Sequence, residues 1–337
     1  MQNYKINIAI IGCGYWGPNL LRNFYQLPGV EISFVCDLDE KKLGNIRKNY
    51  PKIKTTTDYQ EVLRDQNTQA ICLATPLAAH FEMAKAGLLA GKDVLIEKPI
   101  TENSQQAEGL IKISRGRNLI LMVDHTFIYS GAIQKIKELI VKGELGKLYY
   151  FDSERINLGL FRSDTNVISD LAVHDLAIVD YLFAKKPISV SALCWDHIID
   201  GKGETASINI KHEDNFISSI RVSWLSPVKI RKSIIAGSKK MILYDDVAPD
   251  EKIRVYDKGI DIDPMAVTPF QPAYRSGDII IPKIDQAEPL KKMADHFTLC
   301  VRERKTPLTG GEAGLRVIKL IEAIEKSIKE GGKEIAI

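Results

Sequence analysis

A hydrophobic run, three glycines and an amphipathic run follow one another near the start of this chain, as INIAIIGCGYWGPNLLRNF over residues 6–24. A short β-branched run that meets glycines and then a 3.6-residue period predicts strand, tight turn and helix. A plain turn would need one glycine. The spacing 12, 14, 17 asks for more. Gly12 permits the tight turn, Gly14 lets a pyrophosphate approach the backbone, and Gly17 lets helix and strand pack closely. The free N–H groups at the helix start then face phosphate charge. The next strand-like run, EISFVC, ends at Cys36, and Asp37 follows it, twenty residues beyond Gly17. A carboxylate there accepts both ribose hydroxyls of an adenosine; its plainer reading is a helix cap. No arginine directly follows Asp37, and an acid repels a 2′-phosphate, so the pattern favours NAD over NADP.

The alternation continues to about residue 123. Apolar runs at 70–74, 93–97 and 119–123 read as buried strands, with helix-like segments at 39–49, 78–90 and 104–116 between them. Asp39, Asp58 and Ser104 are the expected N-caps, and Gly91 ends one helix. Strand and helix in alternation predict an α/β doubly wound parallel sheet. The second half differs. Helix patterns at 131–146 and 169–183 precede strand runs at 204–210, 216–225, 228–237, 239–245 and 252–257. Within ISSIRVSW, Ile220, Val222 and Trp224 share one face, the period of an antiparallel sheet with one face covered. Residues 259–288, rich in Pro, Asp and Gly, read as a long loop, and helices over about 289–303 and 311–330 close the chain. A chain of 337 residues exceeds what one core usually supports. We expect a dinucleotide-binding domain over 1–125 and an α+β substrate-binding and oligomerisation domain over 126–337, with the C-terminal helices free to pack back on the first.

Net charge is +3 with both signs interspersed, which argues against a nucleic-acid face or a polybasic membrane anchor. No apolar run reaches the ~18 residues of a membrane span, and no signal peptide is read at the N-terminus. The five cysteines have neither CxxC spacing nor an even count, so they predict no disulfide framework and no zinc site; this usage favours the cytoplasm.

Two further stretches carry chemistry. IEKPIT (96–101) places Lys98 at the carboxyl end of a strand, where ligands of doubly wound sheets bind; the alternative is a surface lysine before a proline turn. DLAVH (170–174) sets Asp170 and His174 at i and i+4 on one helix face, where a carboxylate can orient an imidazole as a general base. A surface ion pair has the same spacing.

Taken together, GCGYWGPN, ATPLAAH, EKPIT and DLAVHD, in this order, resemble the Gfo/Idh/MocA family of oxidoreductases. The resemblance implies an N-terminal Rossmann domain and a C-terminal α+β domain with a large open antiparallel sheet. It implies that Lys98, Asp170 and His174 form the catalytic set, that Pro99 follows a cis bond, and that Thr75, Pro76 and His80 line the nicotinamide side. The NAD contacts it implies are Gly12, Gly14, Tyr15, Trp16, Gly17, Asp37, Thr75, Pro76, His80, Glu97 and Lys98. Where many members carry an arginine-bearing segment, this chain has His125 and Thr126. The stretches at 125–140, 156–175 and 274–290 resemble members that oxidise nucleotide-activated amino sugars. On that resemblance the substrate contacts are Lys98, His125, Asn157, Arg162, Asn166, His174, Tyr274 and Arg275, with Arg162 and Arg275 suited to a diphosphate. Some of these polar residues are expected to be loop caps instead.

The reading is an NAD-dependent dehydrogenase acting at C3 of a UDP-linked N-acetylhexosamine, without a metal. His174 takes the hydroxyl proton, Lys98 hydrogen-bonds the same oxygen, and Asp170 holds the imidazole. Its alternatives are a dehydrogenase or ketoreductase for another sugar or cyclic polyol, and a non-catalytic dinucleotide-binding regulator. The expected partners are the sugar substrate and further copies of the chain, as a homodimer or homotetramer that covers the open sheet face.

Overall fold

The computed structural model describes residues 5–159, 161, 165–262 and 272–337. By contacts the chain forms two units, the first comprising residues to 129 together with 287–319, the second 130–286 together with 320–337. The chain thus changes unit at 129/130 rather than 125/126. Residues 287–319, which carry the first of the C-terminal helices and the start of the second, belong to the first unit.

The first unit begins with β1 (Ile6–Ile11), α1 (Gly17–Tyr25), β2 (Val30–Cys36), α2 (Glu40–Asn49), β3 (Lys54–Thr56), α3 (Tyr59–Arg64), β4 (Ala70–Leu73), α4 (Leu77–Leu89), β5 (Asp93–Glu97), α5 (Ser104–Gly116) and β6 (Leu121–Asp124). The sheet order is β3-β2-β1-β4-β5-β6, with every pairing parallel. β4 and β5 are buried along their whole length, which is why both read as unbroken apolar runs. The order reverses beside β1, so the carboxyl ends of β1, β2, β4 and β5 surround a topological switch point. Asp39 caps α2 by accepting from Lys41 N, and Asp58 caps α3 by accepting from Gln60 N. α5 is capped by Asn103 rather than by the expected Ser104, which is the first helical residue.

The second unit holds α6 (Gly131–Val141), β7 (Leu148–Ile156), a π-helical turn (Ile168–Ala172) that runs into α7 (Val173–Phe183), then β8 (Pro187–Trp195), β9 (Thr205–His212), β10 (Ile217–Ser223), β11 (Ile230–Gly237), β12 (Met241–Asp245), β13 (Ile253–Ile262) and β14 (Pro272–Ile280). After α8 (Pro289–Glu303) and α9 (Gly311–Lys329), β15 (Ile335–Ala336) completes its sheet. The order of the nine strands is β14-β13-β12-β11-β7-β10-β9-β8-β15. The sheet is mixed rather than wholly antiparallel, because β7 and β10 pair in parallel at its centre.

Two of these strands have no hydrophobic signature. β14 falls inside the expected 259–288 loop; it is an edge strand with mostly exposed side chains, so no burial period marks it. β7 buries Phe151 beside the polar Ser153 and Arg155. The reason is a buried ion pair. Arg155 Nε and Nη2 donate to the two oxygens of Asp175 at 2.7 and 3.1 Å, and Ser153 Oγ donates to Asp175 Oδ1 at 2.9 Å. Asp175 lies on α7, so this bidentate pair pins the helix to the sheet.

Candidate active site

The carboxyl ends of the first unit's strands carry the glycine loop. Gly12 has φ of +94°, and a Cβ there would lie 2.5 Å from the Ala74 carbonyl oxygen. A Cβ on Gly17 would lie 1.9 Å from the Gly12 oxygen. These two glycines are demanded by backbone packing. Gly14 is different, since a Cβ there would meet nothing within 4 Å. The space above Gly14 is the room a diphosphate needs to reach the backbone. No side chain caps α1 and its first turn holds no acid, so the positive end of the helix has no anionic side chain of its own. Tyr15 and Trp16 stand edge to face on the exposed side of the loop, their centroids 5.5 Å apart. Asp37 is tied to the same loop. Its Oδ2 accepts from Cys13 N at 2.5 Å, its Oδ1 accepts from Asp39 N at 2.8 Å, and Lys42 Nζ lies 3.7 Å away.

Beyond β4, Thr75 presents a buried Oγ1 with no protein partner, and Pro76 stands at the N-cap of α4. His80 is buried, and each ring nitrogen lies 2.9 Å from a backbone carbonyl, that of Pro99 and that of Thr75. Those contacts favour a protonated ring, but burial outweighs them and lowers its pKa. The ring nitrogens are spent on the protein, so His80 braces the turn after β4 against the turn after β5 and has no nitrogen left for a ligand. Lys98 follows Glu97 at the end of β5, and the Lys98–Pro99 bond is cis. His125, just past β6, is buried with neither ring nitrogen partnered. Burial first, and the Lys98 charge second, push its pKa down to about 3, so the ring is neutral at ordinary pH. The open space at Gly14, the uncapped α1 and the orphaned Thr75 hydroxyl fit a dinucleotide.

In the second unit, the π-turn places Asp170 one turn ahead of His174, the second residue of α7. π-Turns inside α-helices concentrate at functional sites. Trp224, just beyond β10, donates from Nε1 to Asp170 Oδ2 at 3.0 Å. The sequence marked Trp224 only as a core-facing strand residue; nothing in its spacing announced a partner fifty-four positions away. The indole is buried, packs beside Phe161, and touches Gly159, where a Cβ would come within 2.6 Å of the ring. Asn157 N donates to Ser223 O at 3.1 Å, which brings Asn157 to the same end of β10. Asn166 lies beside them as a cap, its Oδ1 accepting from Ile168 N at 3.1 Å and Ser169 N at 2.9 Å.

Tyr274 and Arg275 do not join this cluster. They sit on β14, five places from β10 in the sheet, or about 24 Å at the usual strand spacing. The Arg275 guanidinium is also fully engaged, at 3.0 Å to Asp257, 2.7 Å to Asp261 and 2.6 Å to the Lys239 carbonyl. That makes it a clamp within the sheet edge instead of a diphosphate ligand. Arg162 lies outside the described residues. Among the described residues no cluster of His, Cys, Asp and Glu has the arrangement of a metal site, and no helix is long and apolar enough to cross a membrane.

Comparison with known proteins agrees with this geometry. Residues 6–125 match the model of the oxidoreductase family with an NAD-binding Rossmann fold, Gfo/Idh/MocA, and residues 133–243 match the Gfo/Idh/MocA C-terminal domain. The chain is 24% identical to the uncharacterized oxidoreductase YrbE of Bacillus subtilis over 56% of its own length and 57% of that protein's. It is 25% identical to the UDP-N-acetylglucosamine 3-dehydrogenase of Acidithiobacillus ferrooxidans over 74% of this chain and 75% of that one. Among solved structures, the WlbA dehydrogenase of Bordetella pertussis in complex with NADH and UDP-GlcNAcA has the same fold, with a TM-score of 0.83, 20% identity, and coverage of 100% of this chain and 99% of that one. The glycine loop, the six-stranded parallel sheet and the two matched domain models agree: the chain belongs to the Gfo/Idh/MocA family of oxidoreductases, and its first unit is an NAD-binding Rossmann domain.

Proposed function

We propose that this chain is an NAD-dependent sugar dehydrogenase that oxidises the C3 carbinol of a UDP-linked N-acetylhexosamine. The observation that supports it most is the Trp224–Asp170 hydrogen bond on the π-turn, one turn ahead of His174. A carboxylate held this way is suited to orient an imidazole base. The choice of a nucleotide sugar rests on the likeness to the UDP-N-acetylglucosamine 3-dehydrogenase and to WlbA.

In this reading the glycine loop and α1 hold the dinucleotide's diphosphate, Asp37 holds its adenosine ribose, and Thr75, Pro76 and Glu97 face its nicotinamide end. When bound, NAD supplies the two-electron acceptor. The chain's own residues do the rest. His174 accepts the carbinol proton on a ring nitrogen. Lys98 Nζ donates a hydrogen bond to the carbinol oxygen and steadies its developing negative charge. Asp170 orients the imidazole, and His125, kept neutral, offers ring nitrogens to a sugar hydroxyl. The test is NADH absorbance on mixing protein and NAD with UDP-N-acetylglucosamine, its uronic acid, free N-acetylglucosamine or an inositol. NADH is expected with a UDP-linked sugar. Formation only with the free sugar or polyol, or with none, overturns the assignment.

Asp37 sets the cofactor preference in this account. The parent protein is expected to bind NADH more tightly than NADPH, because the carboxylate gains two hydroxyl partners and repels a 2′-phosphate. Asp37→Ser should narrow that gap, since it removes the acid and leaves Lys42 facing the position. Fluorescence titrations decide it, and equal parental affinities would refute the assignment.

Trp224 is a positioning residue. Hydrogen bonds to charged groups are worth about 1.5–3 kcal/mol, and part of that holds Asp170 in register with His174. Trp224→Phe keeps an aromatic ring and removes the donor. We expect kcat to fall about tenfold with NAD affinity unchanged. An unchanged kcat would show that the indole only fills space.

A further inference from the structure

The stretch GYWGPNLLRN carries asparagine at 19 and again at 23, one helical turn apart. Asparagine is usually unfavourable inside a helix, because its side chain competes for nearby backbone groups. Both asparagines do so here. Asn19 Nδ2 donates to the Tyr15 carbonyl at 3.1 Å, and Asn23 Nδ2 donates to the Asn19 carbonyl at 3.0 Å. Asn23 is buried, and the same Nδ2 donates to Glu288 Oε1 at 3.2 Å, at the start of α8. Arg22 donates to both oxygens of that carboxylate, at 3.0 and 2.6 Å. A line of side-chain hydrogen bonds therefore runs along α1 from Glu288 to the glycine loop.

The line ends on the peptide that opens the helix. A helix start ordinarily leaves four N–H groups without a helical partner. Here they belong to Trp16 at the N-cap and to the next three residues, Gly17, Pro18 and Asn19. Pro18 has no N–H, and Asn19 N donates to the Trp16 carbonyl at 2.9 Å. Trp16 and Gly17 thus supply the N–H groups that α1 can offer a diphosphate. The Trp16 N–H lies in one peptide plane with the Tyr15 carbonyl, and in a planar trans peptide the two point opposite ways. A Tyr15 carbonyl drawn back along α1 by Asn19 turns the Trp16 N–H forward, out of the helix start, where an anion is favoured. Packing does little to fix that plane, since the Tyr15 and Trp16 side chains are both exposed.

We propose that Asn19 is a positioning residue for the dinucleotide, acting through the Tyr15–Trp16 peptide: its side-chain amide aims the Trp16 N–H at the diphosphate. The role needs only the NAD-binding domain, and no sugar enters its test.

Asn19→Ala removes the donor and puts the best helix former in its place, so the unfolding temperature without cofactor should hold or rise. NADH affinity, read by fluorescence titration of the full chain, should fall about two- to tenfold, the usual worth of one hydrogen bond. ADP-ribose, which keeps the diphosphate and lacks the nicotinamide, should lose the same factor in competition with NADH. Asn19→Ser is the rescue. A serine hydroxyl can donate to the carbonyl four residues back, so this variant should bind NADH nearly as the parent does. Parental NADH affinity in Asn19→Ala, an Asn19→Ser as weak as Asn19→Ala, or a loss that spares ADP-ribose would each overturn the role. So would a weakened Asn19→Ala whose unfolding temperature also drops, because the side chain would then be holding the helix together and not aiming one N–H.

Discussion

His174→Ala is expected to lower kcat for sugar oxidation by about 10²–10⁴-fold, the usual worth of a positioned general base. An alcohol proton leaves poorly to water at neutral pH. An imidazole, with an ordinary pKa of about 6.5, is a competent acceptor in that range. In the parent enzyme kcat/KM for oxidation should rise with pH through one ionisation and level off, because the base acts in its unprotonated form. The variant should lose that ionisation. NAD affinity should stay near the parental value, since the glycine loop, Asp37 and Thr75 all lie in the first unit and His174 in the second. Steady-state kinetics across pH, with a separate NAD titration, measure both. Near-parental kcat with an unchanged profile would place the base elsewhere, and Lys98 would be the next candidate.

Arg155→Met should cost about 3–5 kcal/mol of stability, the usual penalty for stranding one member of a buried ion pair. Arg155 and Asp175 are almost wholly out of water, and the Arg155 side chain reaches two carboxylate oxygens. With the guanidinium gone, Asp175 stays buried on α7 with only the Ser153 hydroxyl described as its donor. Adding Asp175→Leu should recover much of the loss, because a pair replaced by apolar groups leaves no charge stranded. Denaturant unfolding gives both values. A loss under about 1 kcal/mol for Arg155→Met would mean that water enters to solvate Asp175. Helix α7 carries His174, so a loosened anchor should also lower activity in the folded fraction.

How much could be read in advance follows from what each element buries. β1, β4 and β5 are covered on both faces and announce themselves as apolar runs between helix patterns. β9 and β10 are covered on one face and show alternation. β7 hides because it buries Ser153 and Arg155 against Asp175, so its inward positions are polar. β14 hides because it is an exposed edge. Lys98, Asp170 and His174 stood out through their short motifs and the family resemblance. Trp224 did not, since it meets its partner only through tertiary packing. Asn166 and Arg275 have the chemistry of substrate ligands, yet local structure takes up the Asn166 side-chain oxygen and the Arg275 donors. A polar residue in a loop serves its own backbone first when an unsatisfied N–H lies within reach.

The central claim is that this family scaffold oxidises a sugar carbinol with NAD, through side chains of this chain. UDP-N-acetylglucosamine deuterated at C3 tests it most directly, by incubation with the protein and NAD and mass spectrometry of the NADH formed. The account predicts deuterium on the nicotinamide ring of the NADH, one label per turnover, and a ketone at C3 of the sugar. Unlabelled NADH, or deuterium released to water with no ketone, would contradict it.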